Sequence, residues 1–438
     1  MEGWALLMFA VLVAALMAGY PVAFTLGAVA MLFGGLFLGL DFFTLLPLRI
    51  WGVMTNFTLL AVPLFVFMGV VLEKSGLAEG LLETMGLLFG RLRGGLALSI
   101  VVVGALLAAT TGVVGATVVT MGVIALPALL KHGYPPPLAT GTIAASGTLG
   151  QIIPPSIVLI LLGDVVGVPV GRLFIGAVIP GAVLILLFAL YIALVAWRRP
   201  EAAPALMSVE SDRSLPARVV KNLLPPLLLM VAVLGSIFFG VASPTESAAV
   251  GAVGALVLAA AHKQLSLTNL EEAMRHTTRL TSMVFLILLG ATAFGLVFRG
   301  MGGDTLVHDL MTGLPGGRWG FLATSMLLVF GLGFFLDFLE ICFIVVPILA
   351  PIAHHFGVDL LWFAVLIAVN LQTSFLTPPF GFSLFYLKAV APPSVRIQHI
   401  YRGIVPFIAL QALGIALLIV FPRLTLWLPD VMDRLQGL

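Results

Sequence analysis

Two short stretches of this sequence gather oxygen donors around backbone that cannot stay helical. The first is Ser146-Gly147-Thr148-Leu149-Gly150-Gln151-Ile152-Ile153-Pro154-Pro155-Ser156. The second is Asn370-Leu371-Gln372-Thr373-Ser374-Phe375-Leu376-Thr377-Pro378-Pro379-Phe380-Gly381. Proline has no N–H, so carbonyls before a double proline lose their helical donors. Gly147 and Gly150 add the backbone freedom for a break. Free carbonyls and hydroxyls are hard oxygen donors suited to Na⁺, and half-helix N-termini nearby suit an anion. A double proline is also an ordinary kink in a packed helix. The kink alone does not explain the recurrence: Pro127, Pro154 and Pro155 are matched by Pro351, Pro378 and Pro379, all 224 positions on. Gly19-Tyr20-Pro21 is echoed by Ala242-Ser243-Pro244 at 223, and Ile179-Pro180 by Val405-Pro406 at 226. Paired, proline-interrupted apolar segments point to a secondary transporter and to the place where its cargo binds.

Composition sets the elements that must hold these stretches. Hydrophobic residues are 61% of the 438 and charged residues 9%, against roughly 25% charged in a soluble domain. Many runs reach the ~20 apolar residues that cross a bilayer, which makes this an all-α polytopic membrane protein. The first run lacks a basic leader and continues through Pro21, unlike a cleaved signal peptide. The single Cys342 has no internal disulfide partner, and the seven histidines show no zinc spacing. An enzyme would need a catalytic set at membrane depth. None is legible, so no catalytic residue and no metal other than Na⁺ is expected.

The pattern divides into a first repeat (1–205), a linker (206–222) and a second repeat (223–438). The first predicts helices near 4–19, 22–40 and 52–72, an interfacial amphipathic helix at 77–92, a segment at 94–130, a span at 138–163 and a last helix at 172–198. The 77–92 helix sets Glu79 and Glu83 against Leu77, Leu81, Met85 and Leu88. A straight helix over 94–130 would be ~54 Å long, too long for a ~30 Å core. The Thr110–Gly115 run offers a turn, which makes the segment a re-entrant hairpin. The 138–163 span is a broken helix; which of the two segments is hairpin and which is broken span stays open on the pattern alone. Each repeat then has five crossings, one hairpin and one broken helix. Five is odd, so the second repeat is inverted: 223–240, 244–262, 280–299, an arm at 301–318, a hairpin at 319–352, a broken span at 360–387, and 404–421. With the N-terminus outside, only Arg49, Arg172, Arg299, Arg318, Arg423 and Arg434 of the 21 basic residues face outward. That agrees with the positive-inside rule and puts the linker in the cytoplasm and both termini outside.

Asp337 stands 224 positions after Val113, at the tip of the second hairpin. A carboxylate there costs roughly 2.5–3.5 kcal/mol on insertion scales, so it faces a cavity or a partner. It is either an ion ligand or latch, or a cap on the second hairpin helix; Glu340 is the weaker candidate. Ser243-Pro244-Thr245-Glu246 reads as a capping box, with Glu246 securing a helix start. No arginine clamp for a carboxylate is visible. An anionic cargo is expected to rest on Na⁺, hairpin N–H groups, and Gln151, Asn370, Gln372 and Thr373.

The run Gly147-Thr148-Leu149-Gly150-Gln151-Ile152-Ile153-Pro154-Pro155-Ser156 resembles the large membrane subunit of TRAP (tripartite ATP-independent periplasmic) transporters. So do Leu376–Gly381 and Pro244-Thr245-Glu246-Ser247-Ala248-Ala249-Val250-Gly251-Ala252, and the likeness runs from Pro21 to about Pro406. It implies an elevator-type carrier of the bacterial inner membrane, importing an organic acid down a Na⁺ gradient. It also implies a small four-helix membrane subunit and a periplasmic substrate-binding protein as partners, membrane lipid around it, and no nucleic acid. The resemblance makes 94–130 and 319–352 the two hairpins. One Na⁺ site would join Thr111, Gly112 and Thr117 to Gly150, Ile153 and Pro155. A second would join Asp337 to Ser374, Thr377 and Phe380. Most members have Ser-Gly-Ser-Ser at the first tip; Thr111-Gly112-Val113-Val114 stands here, so two hydroxyls are gone. The alternative is a stand-alone Na⁺- or H⁺-coupled carboxylate carrier needing no binding protein.

Overall fold

The structure, a computed structural model, describes residues 2–112, 114–205, 215–378 and 381–436. Among these the regular structure is helical throughout, and eight helices are long and apolar enough to cross a membrane. The chain is therefore a multi-span membrane protein.

The first half runs α1 (Glu2–Met17), α2 (Val22–Phe37), α3 (Leu46–Met54), α4 (Ala61–Lys74) and α5 (Leu77–Phe89). A hairpin of α6 (Gly95–Thr111) and α7 (Val114–Lys131) follows, then a broken span of α8 (Pro136–Thr148) and α9 (Ile157–Val166), then the 29-residue α10 (Val170–Arg198). The second half gives α11 (Leu224–Phe238), α12 (Pro244–Ala261), the 34-residue α13 (Leu267–Gly300) and α14 (Gly303–Thr312). Its hairpin is α15 (Gly317–Leu332) and α16 (Phe338–His355), the latter with a π turn at Ile341–Val345. Its broken span is α17 (Leu360–Leu376) and α18 (Phe382–Val390), followed by α19 (Ile397–Val420) and α20 (Arg423–Gln436).

Local chemistry starts these helices. Ser243 and Glu246 form the expected capping box, Glu246 N–H donating to Ser243 Oγ at 3.3 Å and Ser243 N–H to Glu246 Oε2 at 2.7 Å. Asp359 opens α17 by accepting from Trp362 N–H at 2.9 Å. The chain turns at the first hairpin on Gly112, whose φ of +61° suits glycine.

Four details depart from the sequence reading. The crossing expected at 52–72 starts at Phe57, because Asn56 caps it by accepting from Thr58 N–H at 3.0 Å and closes α3 off as a separate helix. The expected 280–299 helix starts at Leu267, capped by Ser266. Helix α20 was not anticipated; its Asp433 pairs with Arg172 at 2.8 Å. On α5, Leu77, Leu81 and Met85 are buried as expected, but Leu88 is exposed.

The halves interleave. Helix α2 packs on α13 and α4 on α12; α9 lies against α16 and α17, and α18 against α7. Helices α8 and α19 cross backbone to backbone: a Cβ on Gly141 would sit 2.2 Å from Gly403 O, and one on Gly403 2.0 Å from Pro137 O. Only glycine fits that crossing. At the end where α7 meets α8, Tyr134 donates its hydroxyl to Pro204 O at 3.2 Å, and burial pushes its phenol up to about 12. The first nine residues of the linker, 206–214, lie outside the described residues.

Candidate functional site

Each break is backed by a hairpin. In the first half α8 tightens into a 3₁₀ turn at Leu149–Gln151 and stops, and Ser156 restarts the chain as α9. Ser156 Oγ donates to Gln151 O at 3.0 Å, stitching the unwound segment, whose Pro154–Pro155 bond is cis. The hairpin lies directly on this break: a Cβ on Gly150 would come within 2.9 Å of Ala108 O, and one on Gly147 within 2.3 Å of Val118 Cγ2. Gly112 at the tip faces Ile157. The structure thus brings Gly112 and the α7 turn holding Thr117, itself buried, against the segment holding Gly150, Ile153 and Pro155. Thr111 ends α6; its side chain lies outside the described residues.

The second half repeats the arrangement with more hydroxyls. Gly333, at the tip, stands so close to α17 that a Cβ would lie 2.2 Å from Ser374 Oγ. Ser374 Oγ donates to Leu371 O at 2.8 Å, Thr377 Oγ1 to Thr373 O at 2.7 Å and Thr373 Oγ1 to Val369 O at 2.9 Å. Each hydroxyl spends its proton on its own helix, which leaves oxygen lone pairs free to face a cation. Gly381 N–H donates to Thr377 O at 3.1 Å, and Ser383 Oγ to Phe375 O at 2.9 Å. Phe380 lies outside the described residues.

Asp337 caps α16: its carboxylate accepts from Phe338 N–H at 2.7 Å, while Glu340 accepts from Asp337 N–H. The two acids form one capping box at the tip, and Glu340 is the more buried of the two. The cap is present whatever else Asp337 does.

Between the breaks lies a buried amide cluster. Gln372 Nε2 and Gln411 Nε2 both donate to Thr148 Oγ1 at 3.3 Å, and Thr148 donates to Ala145 O at 2.8 Å. Gln151, fully buried, has neither amide atom hydrogen-bonded. Asn370 donates to Met326 O at 2.7 Å, tying α17 to the hairpin. Gln411, on α19, carried no sequence signal beyond being an amide in an apolar helix. Gln151, Asn370, Gln372 and Thr373 are all buried, and none lines the large cavity described next.

That cavity, about 950 Å³, opens between α3, α13 and α14 on one side and α9 and α16 on the other. Its wall includes Arg49, Arg299, Asp164, Asp304 and His308. Asn56 Nδ2 donates to Asp164 Oδ1 at 2.5 Å across it. The sequence showed no arginine clamp for a carboxylate. Both arginines sit at segment ends and stay exposed, and the tertiary fold sets them on the wall of this cavity.

A profile of the family described as "Tripartite ATP-independent periplasmic transporter, DctM component" matches residues 9–424. The chain belongs to that family. It is 31% identical over 386 residues to the C4-dicarboxylate TRAP transporter large permease protein DctM of Pseudomonas aeruginosa, covering 88% of this chain and 89% of that one. It is 30% identical to the sialic acid TRAP transporter large permease protein SiaM of Vibrio cholerae, covering 95% and 96%. The fold is similar to that of the Alcanivorax borkumensis YdaH transporter, with a TM-score of 0.65, 15% identity, and 95% and 98% of the two chains covered. This TRAP large permease subunit is a transport protein and not an enzyme.

Proposed function

We propose that this subunit imports an organic acid across the bacterial inner membrane, driven by a Na⁺ gradient. One observation carries the reading: two broken helices, each backed by a hairpin tip, meet through Gln372 and Thr148. One Na⁺ would sit between the first tip, with Thr111, Gly112 and Thr117, and Gly150, Ile153 and Pro155. A second would sit among Asp337, Ser374, Thr377 and Phe380. The hard oxygen donors at both breaks support this assignment. The acid would lie between the two ions, held by hairpin N–H groups and by Gln151, Asn370, Gln372 and Thr373. Arg49 and Arg299 would draw the anion into the large cavity from the periplasmic side.

The repeats, 1–205 and 223–438, are read as inverted, with linker 206–222 cytoplasmic and both termini periplasmic; the distribution of basic residues supports this. The core of hairpins and broken helices would move against the helices around it, as an elevator. The relatives named for C4-dicarboxylates and sialic acid support a carboxylate cargo. Family membership supports a small membrane subunit and a periplasmic binding protein as partners.

The test is uptake into vesicles holding this chain and the small subunit, with the binding protein outside and C4-dicarboxylates or sialic acid offered. An inward Na⁺ gradient is expected to drive accumulation, and K⁺ in its place to abolish it. Accumulation without Na⁺ would overturn the coupling. Full uptake by this chain alone would overturn the three-component assembly.

A further inference from the structure

We propose that the crevice where α8, α10 and α19 converge is a binding site for an anionic phospholipid. It encloses about 460 Å³ and is lined by Leu138, Tyr191, Leu194, Arg198, Arg199 and Arg402, among others, with no acidic residue among the described residues of its wall. Among the described residues none of the three arginines is in an ion pair, although Glu201 follows two positions after Arg199. Three unpaired guanidiniums converging on one space repel one another unless an anion sits between them. Guanidinium forks match phosphate oxygens in pairs.

The fold builds this convergence. The backbone crossing of Gly141 and Gly403 draws Arg402, from the second half, onto the start of α8. Arg198 and Arg199 arrive at the end of α10. Leu138, Leu194 and Val195 make the rest of the wall apolar, as an acyl chain requires and a free phosphate does not. Trp197, 77% exposed beside the arginines, suits the headgroup level of a bilayer. Basic pockets between membrane helices take lipid headgroups by this chemistry.

The other end of the molecule shows the same groove occupied. Position 176 stands 226 before position 402, and there α20 fills the space between α10 and α17. A Cβ on Gly176 would lie 3.4 Å from Thr425 O, and Asp433 of α20 neutralises Arg172 at 2.8 Å. One groove is plugged by the chain's own helix and acid. At its counterpart the described residues offer neither a packed helix of that length nor a paired acid, and a lipid with a negative headgroup supplies both parts.

The full chain in nanodiscs of equal phosphatidylglycerol and phosphatidylcholine, analysed by native mass spectrometry, tests this. Phosphatidylglycerol is expected to be retained selectively. The combined Arg198→Gln, Arg199→Gln and Arg402→Gln variant is expected to weaken retention about a hundredfold. The corresponding lysine variant keeps most of it, and an Arg91→Gln, Arg93→Gln variant keeps all of it. Unchanged unfolding temperatures in pure phosphatidylcholine show that the variants are folded. Equal retention of the two lipids, or of phosphatidylglycerol by the triple glutamine variant, overturns the site. So does equal loss in the Arg91/Arg93 variant, which would mean diffuse attraction. Competition by glycerol phosphate as strong as by the lipid would make it a soluble-phosphate site. Retention that emerges only after Glu210→Gln and Asp212→Asn would make the linker its occupant.

Discussion

Gln372 donates to Thr148 at 3.3 Å, and the two residues are 224 positions apart, the same interval that separates the two double prolines. Matching positions of the two halves therefore touch each other. The helices they belong to, α8 and α17, are the ones that break. Gln411 adds a third arm from α19 to the same hydroxyl. The two breaks thus share one buried oxygen besides the direct packing of α17 on α8 and α9.

Thr148→Val removes that oxygen and leaves two buried amide N–H groups unsatisfied, at about 1–3 kcal/mol each. A clear fall in unfolding temperature is expected, while Thr148→Ser stays near the parent. Thermal unfolding in detergent or nanodiscs measures it; equal stability of the valine variant would show the cluster to be slack.

The α8–α19 crossing has no room for a side chain. Gly403→Val is expected to destabilise by about 1–3 kcal/mol or more, because the obstruction is backbone and cannot rotate away. Gly235→Ala meets nothing within 4 Å and is expected to be neutral or slightly stabilising. The pair can be compared in one melting experiment.

Asp337→Asn separates the two jobs open to that residue. Asparagine caps a helix about as well as aspartate, so stability is expected to hold. The formal charge is lost, and the apparent Na⁺ affinity for uptake is expected to fall about tenfold, or about 1.4 kcal/mol. Unchanged Na⁺ dependence would leave Asp337 with its cap alone.

Ser374→Ala deletes an oxygen whose proton already serves Leu371 O. The variant is expected to fold and to reach half-maximal uptake only at several-fold higher Na⁺. A matched change in cargo affinity at saturating Na⁺ would place Ser374 on the cargo instead.

Replacing Na⁺ with K⁺ is expected to weaken cargo binding sharply, since the neutral amides near the breaks cannot alone balance the charge of a carboxylate. Isothermal titration of the purified chain in each salt measures this. Equal binding in both would remove Na⁺ from the cargo site.

The breaks were legible because proline and glycine act locally, Pro154, Pro155 and Pro378 interrupting the donor ladder wherever they sit, whereas which segments were the hairpins came only from the family resemblance. Glu246 was legible as part of a cap, and Asp337 as a cap or an ion ligand, because a box spans only four residues. The boundary at Asn56 was missed although its cap onto Thr58 is local; the contact of Asn56 with Asp164, more than one hundred positions away, has no sequence signal. The apolar run through Trp51 and Val53 reads on into the next span. Helix α20 was hidden by Pro429 and by its charges, of which Asp433 finds its partner, Arg172, only on α10. Gln411 and the cavity arginines have no periodic signature; their meaning is supplied by neighbours from the other half.

Because α9 rests on α16 and α18 on α7, each double-proline segment has its own hairpin but lacks part of its packing until the other half exists. A ribosome that has released the first 205 residues has delivered helices to the lipid but no finished site. Nascent chains halted at the linker are accordingly expected to be substrates for membrane quality control, and the two halves, expressed as separate genes, to be recovered only together.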